Sequence, residues 1–210
     1  MPRYAISDIH GCAKTFQLAL DRINLQKTDE LFLLGDYIDR GPDSLGVLEI
    51  IWRLEEEGYL VTCLRGNHEQ MLIEYVAGDR PLYGWSPPPE LTSKTMDWMN
   101  ALPYYHETEG YILVHAGLNT RATYPFKDTN AMLWERYWYD YVDYNWLGNR
   151  TILHGHTPTR RLEMTKYLAN LAENQYLDID GGCSQQANDM GWLAIFNLDT
   201  QAVEFVKMAD

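Results

Sequence analysis

The stretch Leu31-Phe32-Leu33-Leu34-Gly35-Asp36-Tyr37-Ile38-Asp39-Arg40-Gly41 passes within eleven residues from wholly apolar to glycine-bounded and charged. Four apolar residues without alternation fit a strand buried on both faces, and Gly35 marks its end. The same event recurs upstream and downstream. Tyr4 to Ser7 is a short apolar strand that runs into Asp8-Ile9-His10-Gly11, and Leu60 to Leu64 runs into Arg65-Gly66-Asn67-His68-Glu69. Between these strands the period changes. Thr15 to Ile23 carries apolar residues at 16, 19, 20 and 23, and Ser44 to Glu57 carries Leu45, Leu48, Ile51 and Trp52 on one face before Gly58 stops it; both predict helices. A further helix is expected from about Glu69 to Val76. The order is βαβαβα, which implies parallel neighbours and right-handed crossovers. The polar clusters at 8–10, 36–40 and 65–69 then fall on one rim, at the carboxyl ends of the strands, where open α/β sheets bind ligands.

The rest of the chain is less regular. Gly78, Gly84 and Pro87-Pro88-Pro89 mark an irregular segment, and Thr92 to Leu102 reads as a short helix. Tyr111 to Val114 is an apolar strand ending at His115-Ala116-Gly117. Thr151 to Leu153 ends at His154-Gly155-His156, and Tyr176 to Ile179 at Asp180-Gly181-Gly182. Trp192 to Asn197 and Val203 to Lys207 read as a hairpin. This half is expected to be strand-rich and more antiparallel. With no repeat and no linker, residues 1–210 are read as one domain.

Composition limits the function. Seventeen Lys and Arg against thirty Asp and Glu give a net charge of −13, which argues against nucleic acid and against a polybasic membrane surface as partners. It leaves room for a small cationic pocket. No apolar run approaches a membrane span, and the first residues lack the apolar core of a signal peptide, so a cytoplasmic location is expected. Cys12, Cys63 and Cys183 form no Cys-x-x-Cys pair and are read as free thiols.

Two Asp, three His and an Asn at successive strand ends form a mixed oxygen and nitrogen donor set. It suits Mn²⁺, Fe or Zn²⁺ better than soft ions, and six donors divide naturally over two ions sharing a carboxylate. Taken singly, Asp8-x-His10 is ordinary turn chemistry and His115 or His156 an ordinary histidine; the conjunction is what carries weight.

Asp8-Ile9-His10-Gly11, Gly35 to Gly41 and Arg65 to Glu69 resemble the three signature blocks of the phosphoprotein phosphatase family of metallophosphoesterases. His115-Ala116-Gly117 and His154-Gly155-His156-Thr157-Pro158 resemble its later ligand blocks. The similarity runs from about residue 4 to 183 and is greatest to the compact bacterial and lambda-phage-type serine/threonine phosphatases. It implies an α/β sandwich of two central mixed β-sheets flanked by helices. It implies one metal on Asp8, His10 and Asp36, and a second on Asp36, Asn67, His115 and His156. His68 would be the general acid, oriented by Asp39, with a metal-bridging hydroxide as nucleophile. Arg40, Arg65 and Arg136 would bind phosphate, and His154 would not be a ligand. Ser7 stands where many relatives carry Gly. The expected enzyme is a metal-dependent phosphomonoesterase, with Mn²⁺ the first choice of ion, acting on phosphoserine or phosphothreonine proteins or peptides, on phosphotyrosine as well, or on small phosphoesters. The alternative is a diadenosine tetraphosphate hydrolase of the same superfamily, and the remote alternative a catalytically dead interaction module. Seven of the thirteen residues from Trp134 to Trp146 are aromatic. They would form either a packed lobe or a platform beside the cleft.

Overall fold

The computed structural model describes residues 1–82, 84–187 and 189–210; for 92–94 it describes the backbone alone. Nine strands are described: β1 (Arg3–Ile6), β2 (Glu30–Leu33), β3 (Leu60–Cys63), β4 (Tyr105–Thr108), β5 (Tyr111–Val114), β6 (Thr151–His154), β7 (Tyr176–Asp178), β8 (Trp192–Asn197) and β9 (Val203–Lys207). The helices are α1 (Ala13–Ile23), α2 (Ser44–Glu56), α3 (Asn67–Ala77), α4 (Pro89–Ala101), α5 (Thr129–Trp134), α6 (Tyr144–Leu147), α7 (Arg161–Ala169) and α8 (Leu171–Asn174). The strands form two mixed sheets, ordered β3-β2-β1-β8-β9 and β4-β5-β6-β7. The expected α/β architecture of two sheets flanked by helices is the one observed.

Side-chain alternation explains the layering. On β2, Leu31 and Leu33 pack with Phe16, Leu48 and Ile51 of the helices, whereas Phe32 joins a cluster with Leu113, Leu153 and Leu177 of the other sheet. The run Leu31–Leu34 has no polar residue because each of its faces meets a core. The second sheet repeats the rule. Leu113 and Leu153 face the first sheet, while Ile112, Val114 and Ile152 face a third cluster around Trp138 and Leu147. The layers therefore run helices, sheet, sheet, then an aromatic lobe. Each fully buried Leu or Phe in them contributes about 2 kcal/mol.

Parallel pairing of β1, β2 and β3 follows the predicted crossovers. The second half is strand-rich and more antiparallel than the first, as expected, with one parallel run inside it. β5, β6 and β7 are parallel, because the connections at 129–147 and 161–174 contain helices and carry the chain back to the same edge. Antiparallel pairing is confined there to β4 with β5; β8 is antiparallel to β1 and to β9. β1 is thus central, flanked by β2 and by a strand from residues 192–197. Its following helix α1 is held from equally far away. Cys12 at the helix start offers no side-chain cap. The Asp210 carboxylate accepts instead from the backbone N–H groups of Lys14 and Thr15, at 2.9 and 3.0 Å. Among the described residues, no helix is long and apolar enough to cross a membrane.

Candidate active site

The parallel strands of both sheets release their following loops onto one rim. Those loops are held in unusual backbone shapes. Asp8, His10, Asp36, Asp39, Arg40 and His156 all have φ between 48° and 73°. Non-glycine residues there carry strain that the surroundings must hold, and such strain gathers at functional sites. Two features hold it. A Cβ on Gly35 would lie 2.5 Å from the Gly66 nitrogen, so the β2 and β3 loops touch backbone to backbone. Fully buried Glu69 then ties them, accepting from the backbone N–H groups of Asp36 (2.8 Å), Tyr37 (2.9 Å) and Gly66 (2.9 Å).

Asp36 sits at the centre, 1% exposed. Its Oδ2 faces His10 Nε2 at 3.4 Å and His68 Nε2 at 3.8 Å. Its Oδ1 faces His115 Nε2 at 3.5 Å and accepts from the His68 backbone N–H at 2.9 Å. Burial opposes the charged form of Asp36, but His115, His68 and His10 overcome it and hold the carboxyl below its ordinary pKa. His10 Nδ1 donates to the Ile38 carbonyl (3.0 Å) and His115 Nδ1 to the Leu34 carbonyl (2.9 Å). With Nδ1 engaged this way, each ring turns its Nε2 inward, toward Asp36. Asn67 Oδ1 lies 2.8 Å from both His115 Nε2 and His156 Nδ1, and those two nitrogens are 3.2 Å apart. His156 has its pKa pushed down to about 3, first by burial and then by His115 and Arg136. Asn67, His115 and His156 thus bring three polar atoms together within 3.2 Å of one another.

Two three-residue groups have donor atoms close enough to hold an ion, His10–Asp36–His68 and Asp36–His115–His156, and both contain Asp36. Asp8 lies beside the first, with Oδ1 3.8 Å from His10 Nε2. Asp8 Oδ1 and His156 Nε2 are buried without a hydrogen-bond partner. Unpartnered lone pairs at such depth are costly unless a cation takes them, so the residues fit a divalent-metal centre.

His68 differs from the other histidines. Its Nδ1 donates to Asp39 Oδ2 at 2.8 Å. Burial disfavours its charged form, but Asp36 and the Asp39 hydrogen bond outweigh it, and the pKa is raised. Arg40 Nη2 reaches His68 Nε2 at 3.3 Å. Arg136 Nη1 donates to the His156 carbonyl (3.2 Å) and to Thr157 Oγ1 (3.0 Å). Both arginines are exposed on the rim. Arg65 is placed otherwise than the sequence suggests. It is buried, and its guanidinium donates to Gln70 (2.9 Å), Tyr104 (3.0 Å) and the Asn100 carbonyl (2.7 Å). Those donors are already engaged inside the protein.

His154 engages both ring nitrogens away from the centre, Nδ1 with the Gly155 carbonyl and Nε2 with the Tyr139 hydroxyl. The aromatic segment divides. Trp138 is fully buried against Tyr139 and His154, Tyr137 is 81% exposed, and Trp134 meets the His156 ring edge to face with centroids 6.4 Å apart. Sequence reasoning missed two buried acids, Asp178 and Asp180. Burial raises both pKa values, reinforced at Asp178 by Asp180 and at Asp180 by Asp8. The strand-end position of Asp180-Gly181-Gly182 was the available signal.

Comparison with known proteins sharpens the picture. The sequence profile described as calcineurin-like phosphoesterase matches residues 1–199. A protein of Nitrosomonas europaea named "Bis(5'-nucleosyl)-tetraphosphatase, symmetrical" is 40% identical over 124 residues, covering 56% of this chain and 45% of that protein. The chain therefore spans less than half the length of that relative. A serine/threonine phosphatase of Saccharomyces cerevisiae superposes with a TM-score of 0.74 at 14% identity, covering 100% of this chain and 81% of that one. A crystal structure assigned to a candidate diadenosine tetraphosphatase gives 0.67 at 18% identity, covering 98% and 92%. These two structural matches establish the fold.

Proposed function

The chain belongs to the calcineurin-like phosphoesterase family, and from that premise we propose that it hydrolyses the phosphoanhydride chain of a dinucleoside polyphosphate such as diadenosine tetraphosphate. The observation that carries the chemistry is Asp36, whose two oxygens face two separate donor sets. Support for the substrate comes from the relative named as a symmetrical tetraphosphatase. This reverses the emphasis of the sequence reading, where that substrate stood second to phosphoproteins.

Asp8, His10 and Asp36 would hold one divalent ion, and Asp36, Asn67, His115 and His156 the other, with Mn²⁺ the first candidate and Fe or Zn²⁺ compatible with the same donors. Bound ions polarise phosphoryl oxygens and acidify water. The chain's own residues supply the rest. Arg40 and Arg136 orient the phosphate; guanidinium is planar and always charged, so it grips phosphate oxygens in pairs. Water adds to phosphorus as the bond to the bridging oxygen breaks. His68 holds a proton on Nε2 for the departing oxygen, with Nδ1 fixed by Asp39. Cleavage at the middle of a tetraphosphate releases two identical nucleoside diphosphates.

A second reading, phosphomonoester hydrolysis on phosphoserine, phosphothreonine or phosphotyrosine, is favoured by the open rim. Arg40, Arg136 and Tyr137 stand in solvent, where a phosphate carried on a polypeptide has access. A substrate panel with added Mn²⁺ separates the readings: diadenosine tetraphosphate, phosphoserine and phosphotyrosine peptides, and p-nitrophenyl phosphate. The expected result is the highest kcat/KM on the dinucleotide, with nucleoside diphosphate as product and loss of turnover in EDTA. Preference for a phosphopeptide overturns the proposal in favour of the second reading. No turnover of anything by the metal-loaded protein leaves an interaction module.

A further inference from the structure

A cavity of about 570 Å³ lies between the loop after His156 and the helices α7 and α8. It is lined by Tyr139 and Tyr176, whose rings stack on each other with centroids 4.5 Å apart, and by Thr157, Tyr167 and Asn174. Asp178 also lines it. That side chain is 5% exposed, and while its Oδ1 accepts from the Asp180 backbone N–H at 2.8 Å, its Oδ2 has no hydrogen-bond partner. Thr159, also in the wall, interacts with the same carboxyl, so the cavity has a polar edge of one carboxyl and one hydroxyl. One arginine links the cavity wall to the candidate site. Arg136 donates both to the carbonyl of His156 and to the hydroxyl of Thr157, which is part of the cavity wall.

The chemistry of the lining narrows the ligand. Among the described residues Lys166 is its one cation, against Glu163, Glu173 and Asp178, so phosphate is disfavoured there. A flat, neutral, polar group suits it. Aromatic faces stack a base regardless of its identity, and an amide and a carboxyl offer edge and ribose hydrogen bonds. The volume is that of an ordinary small-ligand site. We infer that this cavity is a nucleoside subsite, which seats one base and ribose of the substrate while the polyphosphate runs past Arg136 to the ions. The inference rests on the dinucleotide reading and names where that substrate's neutral end binds.

Tyr167 is the residue to change, because it is 42% exposed and its loss leaves the core intact. Two measurements are needed: KM for diadenosine tetraphosphate and for p-nitrophenyl phosphate, and calorimetric binding of adenosine alone to the metal-loaded protein. Tyr167→Ala should raise the dinucleotide KM about tenfold, the loss expected for one base-stacking ring, and weaken adenosine binding alike. Tyr167→Phe should restore both, and KM for p-nitrophenyl phosphate should move less than about twofold. If the dinucleotide is cleaved and neither its KM nor adenosine binding responds to Tyr167→Ala, the subsite is overturned. Equal loss in the Ala and Phe variants overturns the stacking role. If adenosine binds and Tyr167→Ala removes it, while the dinucleotide is not cleaved, the subsite stands and the proposed substrate falls.

Discussion

His68 and His156 lie on opposite sides of Asp36 and behave oppositely. On one side His68 is gripped by Asp39 and faces Asp36, and its pKa is raised. On the other, His156 has no such partner; burial, His115 and Arg136 drive its pKa down to about 3. His68 is favoured in its protonated form, while His156 and also His10 beside His68 are favoured neutral. An imidazole is a poor guide to its own role, because carboxylate neighbours decide it. A hydrolase of phosphate needs both behaviours within a few ångströms, and a single shared carboxylate separates them.

Substitutions can break that asymmetry in graded steps. Asp36→Asn strikes both sides at once. Metal content, read by atomic emission, should fall for both ions, and kcat/KM should drop by more than about a thousandfold, beyond the roughly 10–100-fold typical of an outer-layer change. His68→Asn strikes only the proton-bearing side. Both ions should remain, and turnover should fall by about a hundredfold or more on a phosphoserine peptide, whose alkoxide must be protonated as it leaves. The loss should be smaller on a phosphoanhydride, whose departing oxygen is stable as an anion. Loss of an ion from this variant would move His68 into the ligand set and erase the distinction.

Asp39→Asn is a subtler test. Asp39 supports the protonated form of His68, so its removal lowers the His68 pKa. The alkaline limb of the kcat profile should then move to lower pH, with about a tenfold fall in rate and unchanged metal content. An unmoved limb would mean that the limb belongs to another group. Asp210→Ala lies outside both sides and serves as control. It removes the acceptor at the start of α1 and should cost about 1 kcal/mol in denaturant unfolding, with kinetics and metal content untouched.

What could be read in the sequence depended on how locally it was determined. Leu31–Leu34 announces a strand covered on both faces because it contains no polar residue, and the ligand-bearing loops follow such strands at once. β4 was not legible. Tyr105-His106-Glu107-Thr108 is a half-exposed edge, made a strand by pairing with β5 across Gly110 at φ 80°. α7 was equally silent, since Met164 is its sole buried residue and no apolar face repeats. Without that helix, the parallel course of β6 and β7 could not be foreseen. At the site, positions were legible and environments were not. Nothing near Arg65 in sequence shows that Tyr104 and Asn100 will engage its guanidinium. Nothing in Asp178 tells that it will be buried with one oxygen unpartnered.

The central place of β1 also sets an order in time. Asp8 and His10 leave the end of a strand whose antiparallel neighbour is made from residues 192–197, so the first donors synthesised wait for nearly the last strand before their sheet is complete. Contacts of such long sequence separation form slowly and late. During synthesis the emerging chain can assemble β1, β2 and β3, but the flank of β1 stays unpaired until β8 emerges. The sheet that carries Asp8 and His10 is therefore complete only once residues 192–197 have emerged.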